Sequence, residues 1–394
     1  MSTTGELDFT LTAGPTEAAA STLAALGSPI TYHYDPGFLS AYRATERKVS
    51  EIFCSTGDVV LLQGEAVLGL EAAARALVRP GMECLNLVSG VFGKGLGDKV
   101  RAAGGEVHEL DVPFDDAVDP ADVETFLAQN PAIELVSLVH CETPSGTLNP
   151  VEEIGRIAKS HGVVTLVDCV SSVGGVELRP DEWGLDVCVA GPQKCLAGPA
   201  APAIVVVSSE GWGAILANEA APRGSYLSLL DWKERWLEQG LFPFTPLVSD
   251  ILGLQAACDE LIRLGLEESI ARHELAARAC RAGARAMGLE LWARRDEIAS
   301  PTLTAIRLPD EVTDVAVRTH ARERYGVMLS GGQGAGNLVR IGHMGVTARG
   351  LHPVVGLVAL GQTLTDLGVE VDVGASVEAA LAIVGQGARP LETA

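Results

Sequence analysis

Seven short apolar runs in the first two-thirds of the chain, at 59–62, 83–88, 106–110, 133–139, 163–168, 187–190 and 203–207, alternate with helical patterns at 68–77, 120–129 and 151–160. The last run, Ala203-Ile204-Val205-Val206-Val207, has no polar side. A strand apolar on both faces must be covered on both faces, and strands alternating with helices build a parallel sheet. The expectation is therefore an α/β fold: a mostly parallel central sheet with helices on both faces. After this region the pattern changes. Ser249 reads as an N-cap, followed at helical spacing by Ile251, Leu254, Ala257, Leu261 and Leu264. A long amphipathic helix over 267–287 follows, with Arg278, Arg281 and Arg285 on one face, read as solvated rather than as an anion-binding stripe. Strands at 302–308, 327–330 and 338–342 and helices at 314–325 and 351–367 make a smaller α+β C-terminal region. The division expected is an arm over 1–20, a large domain over 21–265 and a small domain over 266–394.

Charge narrows the function classes. Among 394 residues, 51 are acidic and 29 basic, a formal net charge of −22. Such a chain lacks the clustered cations that a nucleic-acid or anionic-membrane surface needs. Its 47% hydrophobic content supports a large core. The eight cysteines form no C-x-x-C pair and sit mostly in apolar runs, so they read as reduced, buried thiols. With no basic–apolar leader and no run of about 18 apolar residues, a cytoplasmic protein is expected. No metal is expected either, because His140 and His343 lack ligand spacing and read as structural. Gly93-Lys94-Gly95-Leu96-Gly97 lacks the G-x-G-x-x-G spacing of a dinucleotide loop.

Two residues stand where chemistry is done in such folds. Asp168 ends the run Val163-Val164-Thr165-Leu166-Val167, and Lys194 follows the next run within Gly191-Pro192-Gln193-Lys194. Ligands of open α/β sheets gather outside the carboxyl ends of strands. A lysine partly desolvated there becomes available as an amine nucleophile. A carboxylate beside a pyridine nitrogen keeps that nitrogen protonated and the ring electron-withdrawing. Together the pair suits pyridoxal chemistry.

The strings Asp168-Cys169-Val170-Ser171-Ser172, Gly191-Pro192-Gln193-Lys194, Leu11-Thr12-Ala13-Gly14-Pro15 and Arg340-Ile341-Gly342-His343-Met344-Gly345 resemble the class V branch of fold-type I aminotransferases. The resemblance runs from about Leu11 to Ile383. Gly64-Glu65-Ala66-Val67-Leu68-Gly69-Leu70-Glu71, Ser89-Gly90-Val91-Phe92-Gly93-Lys94-Gly95, Thr143-Pro144-Ser145-Gly146 and Phe242-Pro243-Phe244-Thr245-Pro246 are most similar to members that transaminate pyridoxamine with pyruvate. It implies that Lys194 holds unphosphorylated pyridoxal as an aldimine and that Asp168 pairs with the ring nitrogen. It further implies that Phe92 stacks on the ring, that Thr143 serves its phenolic oxygen, and that Arg340 and Tyr32 receive the keto-acid carboxylate. A homodimer or homotetramer is implied as well. Those members carry a further arginine in the loop before Arg340, where this chain has Ser330-Gly331-Gly332-Gln333-Gly334.

Glu65 has an argument of its own. It falls between a strand and a helix, where relatives seat the cofactor phosphate on a helix N-terminus. A carboxylate suits the helix dipole but repels a phosphate, by about 4 kcal/mol for one charge pair at about 4 Å and an effective dielectric near 20. It accepts a hydrogen bond from a hydroxymethyl group instead. The implied reaction is pyridoxamine plus pyruvate giving pyridoxal plus L-alanine, with the B6 vitamer as substrate and no resident cofactor. The alternative is a pyridoxal 5'-phosphate-dependent alanine–glyoxylate or serine aminotransferase, favoured by Gln333. A non-catalytic B6-binding protein is opposed by the joint presence of Lys194, Asp168 and Arg340.

Overall fold

The computed structural model describes residues 9–387. Seven strands form the central sheet: β1 (Asp58–Leu62), β2 (Glu83–Val88), β3 (Glu106–Asp111), β4 (Leu135–Val139), β5 (Val164–Asp168), β6 (Val187–Ala190) and β7 (Ala203–Val207). Their spatial order is β1-β7-β6-β5-β4-β2-β3. All pairings are parallel except those of β7, which runs against both neighbours. Helices cover the two faces, as expected. Each apolar run became a strand within two residues; burial on both faces is most complete in β4, β6 and β7, whereas the edge strand β3 has no fully buried residue.

The main helices are α1 (Pro36–Ile52), α2 (Ala66–Leu77), α3 (Val91–Ala102), α4 (Val248–Leu264), α5 (Leu266–Ala286), α6 (Asp314–Tyr325), α7 (His352–Asp366) and α8 (Val373–Val384). Small residues bring α2 close to the sheet. Ala72, Ala73 and Ala74 are fully buried, and a Cβ on Gly69 would lie 2.9 Å from Val189 Cγ1. This close seat fixes the N-terminus of α2 over the carboxyl ends of the strands. Helix α4 starts two residues earlier than expected: Leu247 is its N-cap, without a side-chain cap bond, and Ser249 lies inside the first turn. The carbonyl of Leu247 already accepts the Ile251 amide, so the serine comes too late to cap. In the arginine stripe of α5, Arg278 and Arg285 are exposed as a solvated face requires, and Arg281 alone departs from it. Arg281 is largely buried and donates to the carbonyls of Ala299 and Ser300, while Arg285 pairs with Asp296.

A second sheet, β8 (Leu303–Arg307), β9 (Ser330–Gly331) and β10 (Leu338–Gly342), runs antiparallel in the order β8-β10-β9. Its core of Ile306, Val317, Val339, Ile341, Leu357 and Leu360 includes Leu11 from the start of the chain. Phe9–Thr10 pairs with Val327–Met328, and the Leu11 carbonyl accepts the Gly342 amide at 2.8 Å. All eight cysteines are free thiols, seven of them buried. No described helix is long and apolar enough to cross a membrane.

Candidate active site

Asp168 is the last residue of β5, flanked by Val139 of β4 and Val189 of β6. Lys194 stands four residues beyond the end of β6. The sheet thus delivers both to the carboxyl edge, where the open ends of parallel strands leave a crevice. There a cavity of ≈ 470 Å³ is lined by, among others, Phe92, Thr143, Lys194, Arg318, Gln333 and Arg340. A larger groove of ≈ 540 Å³ beside Leu266 and Arg281 holds none of the expected site residues.

Lys194 is 9% exposed and donates from Nζ to the Ala13 carbonyl at 2.6 Å. Burial, aided by the charge of Arg340 and opposed by Asp168, lowers its pKa to about 8. That raises its neutral fraction near pH 7 by roughly two orders of magnitude over a free lysine. Gly14, at φ +101°, gives the side chain its room: a Cβ there would overlap the lysine. Asp168, 6% exposed, accepts the Val170 amide on Oδ1 at 2.9 Å. Burial raises its pKa to about 6, with Lys194 and Lys99 opposing and Glu65 adding to the rise. Its charge is held for use rather than neutralised by a direct ion pair.

Arg340 enters from β10, 3% exposed, and spans to the large sheet's side by donating from Nη1 to the Thr143 carbonyl at 2.7 Å. Burial, with the charge of Arg318, brings its pKa down to about 10. Its Nε has no hydrogen-bond partner among the described residues. A buried guanidinium N–H left open is an unmet demand for an acceptor. The Thr143 hydroxyl shares a hydrogen bond with Ser171. Phe92, the second residue of α3, is 39% exposed and lines the cavity.

Glu65 is the N-cap residue of α2, and its exposed carboxylate makes no capping bond. Its charge reaches Asp168 but it does not line the cavity. Tyr32 stands apart: 67% exposed, it packs against His33 and Tyr34, outside the cavity lining. His140 and His343 are fully buried, with pKa values lowered by burial to about 4 and about 3. No group of three potential metal ligands occurs among the described residues.

One supporting residue was missed by sequence reasoning. Glu142 is buried and accepts the Phe92 amide at 3.1 Å and the Gly93 amide. It caps a helix whose own N-cap, Gly90, has no side chain to do so, and thereby aims the Phe92 ring. Burial raises its pKa to about 7. It lies about fifty positions from α3, so no local spacing announces it.

The open Arg340 Nε, the amine held at the cavity and the buried carboxylate behind it fit a planar pyridine carrying a carbonyl and an anionic substrate. A model of the family described as aminotransferase class-V matches residues 21–349. The chain belongs to that family. It is 44% identical over 378 residues to the pyridoxamine–pyruvate transaminase of Mesorhizobium japonicum, covering 95% of this chain and 96% of that one. The crystal structure of pyridoxamine–pyruvate aminotransferase from Mesorhizobium loti superposes with a TM-score of 0.95 at 43% identity, covering 98% of this chain and 100% of that one. The ureidoglycine–glyoxylate aminotransferase of Bacillus subtilis gives 0.91 at 27% identity, covering 95% and 97%. This protein is therefore an aminotransferase of fold type I, a family that typically uses pyridoxal 5'-phosphate.

Proposed function

We propose that this aminotransferase moves the amino group of pyridoxamine to pyruvate, giving pyridoxal and L-alanine, and that the B6 vitamer is an unphosphorylated substrate rather than a resident cofactor. The observation that carries the vitamer choice is Glu65, an uncapped carboxylate at the N-terminus of α2. Bound there, the vitamer's pyridine ring supplies an electron sink. Asp168 holds the proton on the ring nitrogen. Lys194, as the free amine, is the nucleophile toward the carbonyl and moves a proton on and off the carbon that carries the amino group. Arg340 receives the carboxylate in a bidentate grip that lysine could not give. Phe92 stacks on the ring, Thr143 serves its phenolic oxygen and Glu65 accepts from its hydroxymethyl group.

We read residues 21–265 and 266–394 as the two domains, in a homodimer or homotetramer. Tyr32, exposed in one chain, is the keto-acid contact that assembly would bring to a site. Gln333 favours a second reading in which glyoxylate is the acceptor.

The test is direct. Purified protein should release pyridoxal, followed by its absorption, from pyridoxamine with pyruvate, and should lack a tightly retained phosphate ester. Copurification with pyridoxal 5'-phosphate, and no turnover of pyridoxamine, would overturn the reading.

A further inference from the structure

Arg318 has no part in the chemistry above, yet it lines the same cavity as Lys194 and Arg340. It projects from α6, beneath the small sheet. Its Nε and Nη2 both donate to Asp314 Oδ2, at 3.2 and 2.9 Å. Nη1 makes no hydrogen bond to a described residue, so Asp314 orients the guanidinium while leaving part of it open. The side chain is about one-third exposed.

Gly331 admits this arginine to the cavity. In β9, Ser330 pairs with Arg340 and Gly331 with Val339. Side chains alternate across a strand, so a side chain at 331 would point away from the Arg340 face, toward α6. A Cβ there would collide with Asp314 and lie 2.9 Å from Arg318 Nε. The missing side chain is therefore the gap through which Arg318 reaches the cavity beside β9. The charge of Arg318 is felt at Arg340. With Lys194, the cavity has three cationic side chains against one carboxylate, Asp314, in its lining. That imbalance calls for an anionic ligand.

We propose that Arg318, oriented by Asp314 and admitted by Gly331, is a second guanidinium for the carboxylate of the oxo acid and of the amino acid formed from it. It does the work at Arg340's side that a loop arginine would do, in a chain whose loop carries Gln333. The inference rests on the reading of this cavity as a transamination site.

The test compares Arg318→Gln and Arg318→Lys with the parent protein. In Arg318→Gln, KM for pyruvate and for L-alanine should rise about tenfold or more, the scale of one lost charge-assisted hydrogen bond. KM for pyridoxamine should stay within twofold, and Arg318→Lys should recover part of the loss. Asp314→Asn should raise the pyruvate KM in the same direction, by less. An unchanged pyruvate KM in a folded Arg318→Gln protein overturns the proposal. So does an equal rise in both KM values, which marks a structural role. Parent protein that fails to turn over pyridoxamine with pyruvate overturns the proposed function instead. Calorimetric titration with propionate, a carboxylate that has no carbonyl, then reads Arg318 alone: equal affinity in parent and Arg318→Gln protein overturns it.

Discussion

The floor of the cavity and its rim are built on different terms. On the floor, Lys194 and Arg340, with Asp168 just behind them, are each less than a tenth exposed, and each is held by a backbone amide or carbonyl. At the rim, Phe92, Gln333 and Arg318 stand on a first helical turn, a loop and a helix face with solvent access, and beyond the lining Glu65 stands in the open at the N-cap position of α2. Burial gives the floor its shifted proton affinities. Exposure leaves the charges at and beyond the rim screened by solvent and salt. Reactivity is thus a property of the floor, and choice of ligand a property of the rim.

The largest break in this contrast is Lys194→Ala. Turnover should fall by roughly four orders of magnitude or more, since nucleophile and proton carrier go together; steady-state release of pyridoxal measures it. Asp168→Asn should cost on the order of a hundredfold in kcat, through loss of the ring-nitrogen proton, with thermal melting as the control for fold. At the rim, Glu65→Thr should change selectivity more than rate. The affinity for pyridoxal 5'-phosphate should improve by about tenfold, well short of the full charge-pair figure because Glu65 is exposed and screened. Binding titrations with pyridoxal and its phosphate read the ratio.

The smallest effect is in pH. Capture of pyridoxal by the free protein should quicken as pH rises through about 8, where Lys194 loses its proton. Acid below about 6 should remove a second contribution as Asp168 is protonated. The sign of the coupling is fixed: the carboxylate favours the ammonium, so Asp168→Asn should move the upper limb to lower pH. Stopped-flow rates across pH 5–9 would sharpen or break this.

The same division decides what could be read from sequence. The strands were legible because two-sided burial leaves no polar position in β6 or β7 and only Ser137 in β4. Lys194 and Asp168 were legible because strand ends place them. Helix α1 went unread although Asp35-Pro36 announces it: Asp35 accepts the amides of Gly37 and Phe38, and Pro36 takes the first turn. Helix α3 was hidden by Gly93, Gly95 and Gly97, poor helix formers that persist because Glu142 holds the first turn and Gly97 fits against Asn86. Long-range support of this kind leaves no trace in spacing, and the same holds for Arg318, whose access depends on an absent side chain in another element.

The acceptor of the Lys194 amine has a consequence of its own. Ala13, which offers that carbonyl, gives its amide to Ser330 of the second sheet at 3.0 Å, and two residues earlier Leu11 is stitched between Met328 and Gly342. The nucleophile grows from one sheet and is moored to the other. Its readiness is therefore indexed to how the two halves of the molecule sit together, with a single hydrogen bond as the gauge.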